Sequence, residues 1–504
     1  MSFALKTHKS AGIRVSWFVH RLIVRGNRAR DVGEWREAAD AYRDALLRDG
    51  ALAHIWVQLG HMLNELGEKG EAEAAYRAGA EHRTDWAEPL LILGRNARQR
   101  GELEAAARFQ TRAALAEPAR DAGLVELAET LALAPGGGLR AILRDMLDAD
   151  VAAGEAVVAL DISDLVDRWL HEDAPDAAAR GQLALLREAG VEVRFCCLTA
   201  DRNDWVEVPS ALLGALRGWT DDTREAASRT AERTGARLRL MAAEALPFRA
   251  GAVLIGLGAP VRITNYFLSI RAMQRRFGLC YLACLPDPLP SAGWLAEMAD
   301  HAAGVIVGSA VARDALPAEA GQVRVASFGQ GWPMEIAGFD WKPVDRPVRE
   351  SGLGQWQALD ATGERFRAGQ GWHVPDADGC RTLGAGGELA IGMPEGARTP
   401  RLYLRLRGLP QGDCRYALKI ENRPRIEGIV HAGEDKWIAL DVPVPQDGVL
   451  RLFLRGERQE GISADLGAGL RRYPVSIGVA GFCLVEKGDH ATRRALLETI
   501  ERAA

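Results

Sequence analysis

The stretch "AHIWVQLGHMLNELGEKGEAEAAYRAG", residues 53–79, decides how the first quarter of the chain folds. Trp56, Leu59 and Leu63 recur at helical spacing, Gly67 breaks the run, and a second run carries Ala72 and Tyr76. The same marks return 34 residues away on both sides. Gly26, Gly60 and Gly94 form one series, Gly33, Gly67 and Gly101 a second, and Ala38, Ala72 and Ala106 a third. Tyr42 and Tyr76 keep the step, with Gln110 in the third copy, and Ala45, Gly79 and Ala113 follow. Pro118 closes the last unit. Each unit therefore predicts two helices joined at its second glycine, and stacking such pairs buries a continuous core.

Period and small-residue positions resemble the tetratricopeptide repeat over residues 19–118. The resemblance implies a concave surface lined by Asn27, His61 and Arg95, together with Arg30, Asn64 and Arg98. It also implies a protein partner bound there. Packing of the stack against the rest of the chain is the alternative use.

Composition narrows the remaining classes. The 504 residues suit about three domains. A formal net charge of −5 argues against a dominant nucleic-acid surface. The seven cysteines, Cys196, Cys197, Cys280, Cys284, Cys380, Cys414 and Cys483, form no zinc-type spacing, so no metal is expected. Their apolar neighbours point to reduced thiols and a cytoplasmic location. The basic N-terminal stretch has an apolar patch broken by His20, Arg21 and Arg25, which argues against a signal peptide. No apolar run reaches transmembrane length.

"APGGGLRAIL", from Ala134, lacks the Lys-Ser/Thr of a phosphate loop and reads as a linker. From Glu155 apolar runs alternate with helical ones, starting with "AVVALDISDLVDRW", residues 156–169. That alternation predicts a mostly parallel sheet covered on both faces. Ligands in such sheets bind beyond the strand C-termini, which singles out Asp161, Ser163, Asp164, Gly256, Gly258, Asn265, Asp287 and Ser309. "GLGAP", residues 256–260, lacks the third glycine and the later acid of a dinucleotide fingerprint, so no cofactor is expected.

Four pieces in order, "DISDLVDRW", "GAPVRITNYFLSIRAMQRRFG", "LACLPDPLP" and "ADHAAGVIVGSAVARDAL", resemble the N-terminal half of a GT-B glycosyltransferase of the family-4 type. The resemblance covers about residues 155–343 and implies a Rossmann-like α/β domain. It implies catalytic roles for Asp287 and Asp164, and substrate contacts from Arg180, Asn265 and Ser309. Three features depart from the family. Ala177 stands where a loop glycine is usual, and Pro286 where a histidine is usual. A proline side chain cannot carry a proton. The donor-binding second half, with its Glu-x7-Glu motif, does not follow.

From Leu353 short alternating strands such as "RLYLRLRGL" and "GVLRLFLRGE" predict a β-sandwich or jelly roll. "GQGWHVPDADGC", from Gly369, resembles the opening of jelly-roll modules attached to bacterial glycosyltransferases. Gly371, Trp372, Pro375 and Gly379 match; Asp376 replaces a Glu, and Asp378 and Arg381 replace two tryptophans. Trp372, His373, Asp376 and Arg381 are the glycan-site residues this implies, with Trp372 as a core plug the alternative.

The expected organisation is multidomain. An all-α repeat spans 1–133, a linker and helix 134–154, the α/β domain 155–345, the all-β domain 346–488 and a terminal helix 489–504. The resemblances imply a glycosyltransferase-like protein of bacterial polysaccharide or surface-glycan synthesis. The losses favour a non-catalytic scaffold or glycan-recognition subunit. Two other readings stay open: an active enzyme using a nucleotide-sugar donor and completed by a partner subunit, and a purely structural adaptor.

Overall fold

A computed structural model describes residues 17–134, 137–149, 154–190, 192–199, 204–220, 226–261, 263, 266–299, 301–316, 322–342, 350–360, 366–368, 371–373, 378–383, 386–394, 396–420, 423–463 and 472–503. It divides into two compact units, Met1–Glu126 and Leu127–Ala504.

In the first unit the 34-residue period becomes three helix pairs. These are α1 (Trp17–Asp31) with α2 (Trp35–Arg48), α3 (Ala53–Glu65) with α4 (Lys69–His82), and α5 (Ala87–Gln99) with α6 (Leu103–Ala116); α7 (Ala122–Leu133) begins after them. Gly33, Gly67 and Gly101 turn each pair at φ of 82°, 78° and 78°, where side chains other than glycine are disfavoured. The first glycine series serves a different end. A Cβ at Gly60 would lie 2.6 Å from the Tyr76 ring, and one at Gly26 would lie 2.5 Å from Tyr42. Each tyrosine is buried flat against a glycine of the partner helix. At Gly94 the partner is the flexible Gln110 side chain, 3.0 Å away. Small residues such as Ala38, Ala72 and Ala106 let the helices approach closely around these contacts.

In the second unit α8 (Gly137–Leu147) comes first. It lies within the stretch expected as a linker and helix and is packed: Leu139, Leu143 and Leu147 are buried, and Arg144 donates to Ala242 O at 3.2 Å and pairs with Glu244 at 2.6 Å.

A seven-stranded sheet follows. Its strands are β1 (Ala156–Asp161), β2 (Arg194–Thr199), β3 (Asp204–Glu207), β4 (Phe248–Leu257), β5 (Cys280–Leu285), β6 (Gly304–Val307) and β7 (Gln322–Val325). The order is β3-β2-β1-β4-β5-β6-β7, parallel except for the β2–β3 hairpin. Helices α9 (Ser163–His171), α10 (Ala177–Glu188), α11 (Ser210–Arg217), α12 (Ala226–Ala242), α13 (Tyr266–Phe277), α14 (Ala292–Ala299), α15 (Ala310–Asp314) and α16 (Trp332–Ala337) accompany it. Alternate strand residues enter two cores. Leu160, Ile255 and Leu282 face α9 and α10, whereas Ala159, Leu254 and Tyr281 face α13 and α14.

The rest is antiparallel. It comprises β8 (Gln357–Ala358), β9 (Arg367–Ala368), β10 (Cys380–Leu383), β11 (Gly387–Gly392), β12 (Pro400–Arg407), β13 (Cys414–Ile420), β14 (Ile426–Val430), β15 (Asp435–Asp441), β16 (Val449–Gly456), β17 (Glu460–Ser463), β18 (Arg472–Glu486) and the final helix α17 (His490–Ala503). One sheet runs β10-β18-β12-β15 with β17 and β8 on β18, and the other runs β14-β13-β16-β11-β9. Both enclose one core, to which α13 adds Leu268. Thus α13 joins the two layers: Phe267 and Ile270 pack on the parallel sheet and Leu268 in the antiparallel core.

The glycine–tyrosine contacts make a graded prediction. Gly60→Ala forces Tyr76 to move and should destabilise the first unit by about 1–3 kcal/mol. Gly94→Ala, facing a movable glutamine, should be near neutral because alanine favours the helix by about 1 kcal/mol. Thermal unfolding of both variants checks the order; equal melting points would contradict it.

Candidate functional site

Two places gather the functional side chains, one in each unit. On the first unit, α1, α3 and α5 each carry the same two polar positions. Asn27 and His61 are held from below. Tyr42 Oη donates to Asn27 Oδ1 at 2.8 Å, and Tyr76 Oη lies 3.0 Å from His61 Nδ1. Burial pushes the Tyr76 phenol up to about 12, so its hydroxyl stays protonated. Arg95 is anchored from α7, its guanidinium 2.7 Å from Glu126. In the second row Arg30 donates to Gln58 Oε1 at 2.9 Å and pairs with Asp31 at 2.7 Å. Arg98 reaches Glu126 O at 3.5 Å, and Asn64 is exposed. These side chains are fixed at their bases yet reach solvent: Arg30 is 35%, His61 36% and Arg95 51% exposed. The His61 imidazole, 3.9 Å away, holds the Glu88 carboxyl below its usual range.

In the second unit the acids after β1 are buried. Asp161 accepts from Ser163 N at 2.9 Å, from Ser163 Oγ, and from Tyr266 Oη at 2.5 Å. Ser163 Oγ in turn accepts from Leu198 N at 2.8 Å. One carboxylate therefore ties β1 to β2 and to α13. Burial raises its pKa to about 6 against the pull of those hydrogen bonds, and the Asp164 charge adds to the rise.

Asp164 lies between the ends of β1 and β4, where the strand order reverses. Arg168 Nε donates to it at 3.1 Å, Gln182 Nε2 at 2.5 Å and Ala259 N at 3.3 Å. Burial raises its pKa, and the Arg168 charge opposes the rise. Gly258, at φ 88°, completes the closure: a Cβ there would fall 2.2 Å from Gln182 Nε2 and 2.7 Å from Asp164 Oδ2. At the place where open α/β sheets hold ligands, Asp164 is taken up by this chain's own Arg168, Gln182 and Ala259.

The other sequence-derived residues scatter. Arg180 is exposed and donates to Pro175 O at 2.7 Å. Asp287 is exposed on the loop after β5, and that loop lies against α10, with Pro286 Cβ 3.3 Å from where a Cβ on Gly181 would be. Ser309 caps α15, accepting from Ala312 N at 3.1 Å. Asn265 and Asp376 lie outside the described residues. The stacking role for Trp372 needs correction. Its ring is fully buried, donating to Glu388 O at 2.8 Å, and Gly387 leaves room for the ring edge. It presents no face to a sugar. His373 and Arg381 are buried beside it, Arg381 donating to Gly408 O at 2.9 Å. Tyr266, Gln182 and Arg168 complete the strand-end cluster. Tyr266 and Gln182 reach the acids from other elements, so no spacing in the sequence marks them, whereas Arg168 stands four residues after Asp164 on α9. Among the described residues no group of three His, Cys, Asp or Glu side chains is placed to hold a metal. No described helix is long and apolar enough to cross a membrane.

No protein-family model and no curated protein matches the chain. Among solved structures it is similar to MamA, at 18% identity over 26% of this chain and 72% of that one, with a TM-score of 0.22. It is similar to the first TPR of Spaghetti (RPAP3) bound to an HSP90 peptide, at 21% identity over 24% and 95% of the two chains, with a TM-score of 0.21. It is also similar to PcrH in complex with the chaperone binding region of PopD, at 20% identity over 25% and 92%, with a TM-score of 0.20. In this chain the helix pairs themselves, repeating every 34 residues with a glycine turn, have the tetratricopeptide arrangement.

Asp161 makes stability depend on pH. Its folded pKa of about 6 exceeds the ordinary 3.8, so the folded state holds the extra proton between these values. Its contribution falls as pH rises from about 4 to 6, by up to about 3 kcal/mol. Asp161→Asn removes that loss. Urea unfolding at pH 4.5 and 7.5 should show the variant gaining on the parent as pH rises, whereas parallel profiles would contradict the assignment.

Proposed function

We propose that the protein is a scaffold whose helical repeats bind an extended segment of a partner protein. The observation that carries this is the double polar row on α1, α3 and α5, in which Asn27, His61 and Arg95 run beside Arg30, Asn64 and Arg98. Neighbouring packed helices lie about 8–10 Å apart. An extended chain advances about 3.3 Å per residue. One repeat thus spans roughly three peptide residues, and three repeats roughly nine. An amide such as Asn64 offers both a donor and an acceptor to a peptide bond, and the arginines suit side-chain carboxylates. Side chains already fixed by Tyr42, Tyr76 and Glu126 lose less freedom on binding.

The finer reading keeps the second unit as a Rossmann-like, glycosyltransferase-like domain with a jelly-roll tail, in bacterial surface-glycan synthesis and without catalysis of its own. Supporting it are the strand-order switch between β1 and β4, the proline at position 286, and an Asp164 spent on Arg168, Gln182 and Ala259. None of the seven cysteines is joined in a disulfide, which suits the reducing cytoplasm.

Peptide display against the full chain, followed by fluorescence anisotropy of the selected peptides, tests the groove. Asn64→Ala with Arg98→Ala should weaken binding at least about tenfold, equivalent to about 1.4 kcal/mol. Peptides that bind the double variant as tightly, or no enriched peptide, would overturn the reading.

A further inference from the structure

The buried Trp372 leaves the antiparallel unit without the aromatic platform expected of it, yet a different one stands on the outer face of the sheet β10-β18-β12-β15. Along β12, Leu402, Leu404 and Leu406 point into the core, so Arg401, Tyr403, Arg405 and Arg407 point out. Arg405 is paired with Trp437 on β15 and with Gly481 on β18, which sets the three in one row across the sheet. Trp356 lies over Gly481: a Cβ there would sit 2.4 Å from the indole, so only glycine seats the ring on the sheet. The two indoles meet at 5.3 Å between centroids and 52° between planes, and Trp356 remains 41% exposed. Trp437 is half-buried against Tyr403, Cys483 and Val485, so Trp356 supplies the exposed ring of the pair; an exposed tryptophan seated in this way is unusual. Around it the charges are partly matched, with Asp441 shared between Lys487 and Arg401. Arg405 pairs with Asp435 at 2.8 Å and lies 5.8 Å from the Trp437 ring, and Asp441 pairs with Lys487 at 2.6 Å.

We propose that the Trp356–Trp437 pair, with Arg405 and Asp435, is a binding site for a glycan. The chemistry selects the class. The Arg405–Asp435 pair beside the indoles is matched, and it offers donors and acceptors in fixed geometry rather than a net charge to draw a phosphate or an anionic membrane. The indole faces need an apolar surface. A pyranose chain supplies both, with C–H groups on the ring face and hydroxyls on the rim. The pair sits on the face of the sheet and not along the free edge of β15, where a peptide would add as a strand. This gives the glycan part of the proposed function a location, and it stands even if the helical repeats bind nothing.

The test is affinity electrophoresis of the full chain in native gels containing dextran, yeast mannan, xylan or alginate, with tryptophan fluorescence titrations against the same polymers. At least one polymer should retard the protein and quench its fluorescence. Trp356→Ala and Trp437→Ala should each weaken this at least tenfold with the melting point of Trp356→Ala unchanged, whereas Asn64→Ala/Arg98→Ala should bind as the parent does. Failure of every polymer, or equal retardation of the tryptophan variants, overturns the site. A Trp356→Ala protein that instead changes oligomeric state by light scattering assigns the face to a second copy of the chain and equally overturns it.

Discussion

The hydrogen bond from Tyr266 to Asp161 is the contact on which the second unit depends. It joins residues 105 apart and pins the first residue of α13 to the end of β1. A buried carboxylate is costly unless its lone pairs are taken up, and Ser163 and Tyr266 take them up. Because α13 also sends Leu268 into the antiparallel core, the same contact fixes where the two sheet layers meet. Asp164, one turn further on, is consumed in the same way by Arg168, Gln182 and Ala259. The strand-end acids therefore hold the architecture, and the exposed chemistry lies elsewhere.

The first unit solves the opposite problem. A solenoid of small residues has little to hold polar groups steady on its surface. Tyr42 and Tyr76 do so by lying on glycines with their rings buried and their hydroxyls emerging beneath Asn27 and His61. Packing and the placing of the surface polar row thus share the same two side chains. A substitution that loosens the interlock also frees the groove residue above it.

Legibility followed the range of the interactions. The helix pairs were readable because glycine, alanine and tyrosine recur at a fixed step, and the β-runs because burial on both faces leaves unbroken apolar stretches. The hairpin strand β3 was missed, since "DWVE" is short and has acids at both ends. The helix α8 falls inside the stretch expected as a linker and helix, its leucine stripe beginning directly after "PGGG". The site residues divide likewise. The groove positions follow from the repeat, and the structure places all six on α1, α3 and α5. Whether Trp372 stacks on a ligand or fills the core depends on Gly387 and Glu388 across the sheet. The Trp356–Trp437 pair is set by strand register, and Gln182 meets Asp164 only because α10 packs over the end of β1.

The proposed function has the chain hold partners rather than turn over a donor at the strand switch, where Asp164 is spent on Arg168, Gln182 and Ala259. Isothermal calorimetry of the full chain against UDP-, GDP- and dTDP-sugars tests this most directly. The account predicts no binding heat up to millimolar donor. Binding tighter than about millimolar, roughly −4 kcal/mol, that is lost in Asp164→Asn would contradict it.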